Sequence, residues 1–395
     1  MTLTDKQRAD RTDDDFEPFR QILAAWLERD VRPHVIRLEH DDVYPTKMVE
    51  QMREFGLFGA TIPTEYGGLG FSASVYARIV EMISEVWMSL TGVLNSHLMM
   101  GHLVHRFGTE EQRRTWLPAL ATGDRRGGLA LTEPSCGSDL QAIRTLAVPD
   151  LEGYRISGTK SWITNAKNGN CLALLAKTDL DVRPSYRGLS LFLVQKSDGY
   201  NVGKKFDKLG YRGVDTAEVY FDEVSVPADR LVGGEEGLGF TQTQGGLELG
   251  RINVAARGVG IASAALKASI AYAKVRETMG KPIAQHQAIQ LKLADMACRT
   301  ASSRLLVREA ANAFDAGRRC DLEAGMAKLV ASEAALENAT EALRIHGAWG
   351  YSTEDHIERL YRDAPLLCIG EGTNEIQRLV IARHLVNGAD GEPGA

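Results

Sequence analysis

The sequence predicts an α+β multidomain chain: an N-terminal α-helical domain (residues 1–123), a middle β-barrel or sandwich (124–233) and a C-terminal four-helix bundle (234–395). Three changes of texture predict it. From Phe16 the apolar residues Phe16, Phe19, Leu23, Trp26 and Leu27 recur at helical spacing, and the pattern continues through Met48–Phe55, Tyr76–Trp87 and Leu94–Phe107. After Gly123, short β-branched runs at Tyr154–Ile156, Trp162–Thr164, Cys171–Thr178, Leu189–Gln195 and Val219–Val226 are separated by Gly, Asp, Asn and Pro. Beyond Gly234, long Ala-rich segments predict helices at Leu247–Thr278, Ala288–Ala316, Leu322–His346 and Asn374–Leu385, suited to an antiparallel bundle. The Gly- and Pro-rich turn Ile62–Gly70 interrupts the first helical stretch, while GKP (Gly280–Pro282), DAGRRCD and GAWG mark the later connections.

A chain of 395 residues with 44% hydrophobic side chains buries more than one core. A net charge of -6, with Lys and Arg scattered, offers no field for a polyanion and excludes nucleic acid as the default partner. Five cysteines, odd in number and without a CxxC pair, suggest neither a disulfide framework nor a zinc site and place the protein in a reducing cytoplasm. The polar, acid-rich start lacks the pattern of a secretory signal, and no membrane partner is expected.

Two segments carry chemistry. ALTEPSCGSDLQA (Ala130–Ala142) gathers Thr132, Glu133, Ser138 and Asp139 around a Pro and a Gly, so that hydroxyls and free N–H groups could serve a phosphate or a heterocycle edge. Alone, it reads equally as a capped surface turn. In GTKSWITNA (Gly158–Ala166), Trp162 could cover a flat ring while Thr164 meets its polar edge. Taken by itself, Trp162 would be a core residue.

With these segments in view, the order and spacing resemble the acyl-CoA dehydrogenase family over nearly the whole chain. ALTEPSCGSD and SWITNA are similar to its first signature and flavin-covering strand. RETMGKPIAQHQAIQLKLADM (Arg276–Met296) is similar to its helix pair that reaches FAD across a subunit interface. RIHGAWGYSTEDHIERLYRDA (Arg344–Ala364) is similar to the second signature, and IGEGTNEIQR (Ile369–Arg378) to the catalytic segment. The resemblance implies FAD as cofactor, with Leu131, Thr132, Ser138, Trp162 and Thr164 around flavin and pyrophosphate and Thr373 and Glu375 beside them. Arg276, Gln287, Arg344 and Gly347 would reach the FAD of a neighbouring subunit. Ser138, Glu248 and Arg251 would border the CoA thioester, and Asn95–Met100 the far end of the acyl cavity. It further implies a homo-oligomer, a dimer of dimers, with electron-transfer flavoprotein as the electron acceptor.

Glu371 is the implied catalytic base. The α-proton of a thioester is weakly acidic, so its removal needs a carboxylate held close and desolvated. Glu371 would take that proton while the β-hydrogen leaves as hydride to flavin N5, giving a trans-2-enoyl-CoA. It lies just before a predicted helix N-terminus, where N–H groups are free. Some relatives carry the base directly before the residue matching Arg251, but Gly250 stands there. Gly370 replaces a bulky aromatic and could widen the cavity for branched or ring-bearing acyl groups. Other departures are Arg344, Ala348, Met279 and Glu248 in place of a common glutamine, glycine, phenylalanine and aspartate. An acyl-CoA oxidase or other oxygen-using flavoenzyme of the same fold is the alternative. No metal site is expected: His97, His102 and His105 read as helix side chains, and Met99 and Met100 as core or cavity filling.

Overall fold

The computed structural model describes residues 13–387. The N-terminal part is helical: α1 (Asp13–Trp26), α2 (Val35–His40), α3 (Thr46–Glu54), α4 (Ala73–Phe107) and α5 (Glu110–Ala121). The helices expected at Tyr76–Trp87 and Leu94–Phe107 are one element. α4 runs through both and breaks its helical geometry at Trp87 (φ -155°, ψ 102°), whose fully buried indole anchors the kink. Ser72 caps α4 by accepting from Val75 N–H, and Thr109 and Gln112 close a capping box on α5.

The middle part is a seven-stranded sheet: β1 (Gly127–Ala130), β2 (Leu146–Asp150), β3 (Gly153–Thr164), β4 (Cys171–Lys177), β5 (Leu189–Gln195), β6 (Asn201–Lys205) and β7 (Thr216–Pro227). Their order is β1-β4-β2-β3-β7-β6, with β5 also paired to β4. The two runs expected at Tyr154–Ile156 and Trp162–Thr164 are the ends of β3, and β1, β2 and β6 are too short or too polar to be read from the pattern. β4 and β5 read as continuous apolar runs because both faces are covered. Leu172, Leu174, Phe192 and Val194 face the sheet's own core. Cys171, Ala173, Leu191 and Leu193 pack on Met100, Leu103, Trp116 and Leu117 of α4 and α5.

The C-terminal part holds α6 (Gly239–Val275), α7 (Gln287–Asp315), α8 (Asp321–His346), the single turn α9 (Ala348–Tyr351), α10 (Ile357–Ile369) and α11 (Asn374–Asn387). α6 begins eight residues before the expected Leu247 and ends at Val275, so Arg276 caps it in extended conformation. The segment expected as a helix pair therefore opens as a small hairpin, Glu277–Thr278 against Lys281–Pro282, before α7. α10 was hidden from a helix reading by Pro365 and by its buried charges Glu358, Arg359 and Asp363. α6 is long and apolar enough to cross a membrane, but it is mostly buried between α4, α7, α8 and α10, as a core helix is.

Candidate active site

A cavity of about 1520 Å³ runs between the three parts, lined by α4, the Leu131–Leu140 loop, β3, α6, α10 and the start of α11. Trp162, Thr164, Leu131, Thr132, Ser138, Glu248, Arg251, Glu371 and Thr373 all line it. Glu375 does not: its side chain is 78% exposed and pairs with Arg378 at 3.8 Å. Arg276, Gln287, Arg344 and Gly347 also lie outside the cavity, all exposed on the chain's surface.

Glu371 sits between α10 and α11 at φ +56°, in the left-handed region that costs a non-glycine residue on the order of 1–3 kcal/mol. Asn95 of α4 donates from Nδ2 to Glu371 Oε1 at 3.1 Å. Behind the other oxygen lies Gly250 of α6, where an added Cβ would stand 2.9 Å from Glu371 Oε2 and 2.7 Å from Met99 Cε. The glycine therefore leaves the room that the carboxyl occupies. Burial raises the carboxyl above its ordinary range, opposed by Arg257, Arg251 and Lys328 and by the Asn95 hydrogen bond. Gln377 Nε2 donates to Glu371 O at 3.4 Å and to Gly372 O at 3.3 Å, tying the loop to α11.

At the flavin-binding end expected from the sequence, Trp162 adopts φ +62° and stacks on Phe206, centroids 4.2 Å apart and planes 14° from parallel, with 55% of its surface exposed. The register of β3 against β7 shifts between Lys160 and Ile163, an irregularity that re-aims the ring into the cavity. Thr216, also on the wall, keeps a buried Oγ1 without a partner among the described residues. An open aromatic face beside an unsatisfied hydroxyl fits a flat heterocycle with polar edges, as FAD presents.

The Leu131–Asp139 loop is held from behind by Glu133, named in the sequence as a polar member of this turn, and by Lys160, which was not. Lys160 Nζ donates to Leu131 O and to Glu133 Oε1, both at 2.9 Å, with both side chains buried. Burial brings the Lys160 ammonium down to about 8. For Glu133, burial is outweighed by Lys160 and by Thr145 N–H and O–H donors, and its carboxyl lies below the usual range. Thr132, Ser138 and their neighbours thus stand on a rigid floor.

Also on the lining, Arg251 Nη1 pairs with Asp321 Oδ1 at 3.0 Å, and Arg319 Nε with Asp321 Oδ2 at 2.6 Å. Glu248 lies 3.7 Å from Arg106 Nη1, and burial followed by the charge of Asp321 pushes its carboxyl up to about 7. Arg106, Arg318, Arg319 and Arg383 add positive charge to the wall. These arginines, with Tyr211 and Arg257, escaped the sequence reading because each sits in an ordinary helix or turn; Asn95, expected at the far end of the acyl cavity, instead hydrogen-bonds Glu371. His97 is more than a helix side chain: its Nε2 lies 3.0 and 3.1 Å from the carbonyls of Phe58 and Leu120, and its Nδ1 accepts from Gly127 N–H.

Sequence profiles of the N-terminal, middle and C-terminal domains of acyl-CoA dehydrogenase match residues 13–124, 128–224 and 237–386. An acyl-CoA dehydrogenase of Bacillus subtilis is 40% identical over 371 residues, covering 93% of this chain and 97% of the relative. Among solved structures, butyryl-CoA dehydrogenase from Megasphaera elsdenii superposes with a TM-score of 0.91 at 33% identity, covering 98% of this chain and 99% of that one. A chain of the electron transferring flavoprotein structure of Acidaminococcus fermentans reaches 0.92 at 35% identity, covering 95% and 99%. The chain belongs to the acyl-CoA dehydrogenase family of FAD-dependent oxidoreductases.

Proposed function

We propose that the protein removes two hydrogens across the α- and β-carbons of an acyl-CoA thioester, with Glu371 as the base. The carrying observation is Glu371 itself, a largely buried carboxyl lining the same cavity as Trp162, with its pKa raised by burial. Bound FAD would accept the hydride equivalent from the β-carbon. Leu131, Thr132, Ser138, Trp162, Thr164 and Thr373 would hold it, which their shared wall supports; Glu375 would act at the loop's outer side.

In this reading Asn95 fixes one carboxyl oxygen, leaving the other to take the α-proton, and closure of the cavity around an acyl chain excludes water. Ser138, Glu248 and Arg251 would meet the CoA portion, supported by their common cavity and, for Glu248 and Arg251, by the arginines that line it with them. Arg251 already spends part of its charge on Asp321, so it would contact CoA with its remaining N–H groups.

Arg276, Gln287, Arg344 and Gly347 would serve the FAD of a second subunit; their exposure away from this chain's own cavity supports a homo-oligomer, a dimer of dimers. Electron-transfer flavoprotein is the proposed acceptor, supported by the likeness to the Acidaminococcus structure. A cytoplasmic setting belongs to the same reading and is supported by five free thiols.

Anaerobic addition of short, long, branched and cyclic acyl-CoA thioesters to the purified yellow protein tests this. One or more should bleach the flavin and yield the trans-2-enoyl thioester by mass spectrometry. A flavin that no member bleaches contradicts the reading, and steady peroxide formation in air would assign the chain to the oxygen-using alternative.

A further inference from the structure

The wall beneath Glu371 is polar. Asn95 and Ser96 of α4, Tyr211 of the β6–β7 connection and Arg257 of α6 all line the cavity, and all are buried. Gly250, Val254 and Arg257 are spaced to share one helix face, which sets Arg257 roughly 10 Å further along α6 than the glycine behind the Glu371 carboxyl. The tyrosine reaches this wall because residue 92 is glycine, where an added Cβ would lie 1.6 Å from Tyr211 Oη.

Arg257 is held in place by neutral groups. Its Nε donates to Asn253 Oδ1 at 2.6 Å, Nη1 to Tyr211 Oη at 3.4 Å and Nη2 to Thr91 O at 3.3 Å. Asn253 is itself fixed by Nδ2 donating to Tyr76 Oη at 2.6 Å. A guanidinium carries five N–H donors, so Arg257 has donors left over, and among the described residues no carboxylate lies within ion-pair distance. The charged groups acting on the nearby Glu371 carboxyl are Arg257, Arg251 and Lys328, and of these Arg251 is taken by Asp321 and Lys328 by Asn374.

A buried cation without a counter-ion is costly, and Glu371 cannot serve as one throughout a cycle in which it gains the α-proton. An anion arriving with the substrate would offset that cost. Resting on the dehydrogenation reading above, we propose that Arg257, with Tyr211, recognises a carboxylate at the distal end of the acyl group. The substrate class is then the monothioester of a short dicarboxylic acid. About two helical turns along α6 from the glycine behind Glu371, the geometry supplies a fork of N–H donors on the cavity lining, and a carboxylate accepts from such a fork in two places. A hydroxyl could accept one hydrogen bond but would leave the charge uncompensated.

The test compares kcat/KM of the FAD-loaded enzyme for glutaryl-CoA and adipyl-CoA with that for pentanoyl-CoA, hexanoyl-CoA and the matching ω-hydroxyacyl thioesters. The wild-type protein should favour the diacid thioesters at least about tenfold, and Arg257→Gln should reduce that ratio by at least about tenfold. If Arg257 only tuned Glu371, the variant would slow all series alike and leave the ratio unchanged. An unchanged ratio, or a wild-type preference for the alkanoyl or hydroxyacyl series, overturns the proposal. The wild-type ratio needs no variant to fold. Failure of every thioester to bleach the flavin would instead sink the dehydrogenase reading.

Discussion

At the scale of single residues, the site depends on who occupies positions 371 and 250. As the proposed base, Glu371 would gain from burial, which raises its pKa toward that of the proton it would take, while Arg257, Arg251 and Lys328 limit the rise. A base works only when ionised. Turnover should therefore fall as pH drops through a value above the ordinary glutamate range, visible as an acidic limb in kcat/KM against pH for the free enzyme. Gly250→Ala would press a methyl group to 2.9 Å from Glu371 Oε2 and 2.7 Å from Met99 Cε. It is expected to lower kcat roughly ten- to a hundredfold while the flavin absorbance spectrum is kept, since misplacing a base costs orientation. That Glu371 would lie on the cavity was legible in the sequence, from the likeness of its GEGTNE segment to the family's catalytic segment. Arg257 was not, and Asn95 was expected on the cavity but not against Glu371, because their partners lie far away in sequence: Arg257 with Thr91, Asn95 with Glu371.

At the scale of elements, His97 joins α4 to the turn at Phe58, to the end of α5 and to the first residue of β1. Burial lowers its pKa to about 4, so it is neutral, with Nε2 as donor and Nδ1 as acceptor. The folded value lies below the ordinary 6.5, so the stabilisation is present above pH 6.5 and is lost as pH falls through about 4. His97→Leu leaves two carbonyls and an N–H unpaired and should cost ~3 kcal/mol at pH 7, read from urea midpoints. The variant should also lose part of the wild-type decline between pH 7 and pH 5. The sequence showed most long helices and the central strands because their apolar periods are strong. It missed the continuity of α4, where Trp87 breaks the backbone yet stays buried, and the short strands β1, β2 and β6, whose pairing is set by neighbours rather than by local pattern.

At the scale of the whole molecule, α6 ties the parts together: it packs on α4, on α7, α8 and α10, and along β5, and carries Glu248, Arg251, Val254 and Arg257 to one cavity. The change of texture from helix to strand to helix was readable in composition, but the cavity between the parts was not, since no local pattern encodes which faces meet. If the exposed Arg276 serves the FAD of a second subunit, Arg276→Ala should weaken flavin retention roughly tenfold, seen as a lower flavin-to-protein absorbance ratio after gel filtration. Sedimentation of the wild-type protein should show a species larger than a monomer, and a flavin-saturated monomer would contradict that part of the proposal.

The most direct measurement is rapid anaerobic mixing of an acyl-CoA thioester that bleaches the wild-type flavin with the Glu371→Gln variant. The amide keeps the shape of the carboxyl but cannot accept the α-proton, so flavin reduction should slow by roughly a thousandfold or more while FAD content and thioester binding persist. Bleaching at the wild-type rate would show that another group removes the proton.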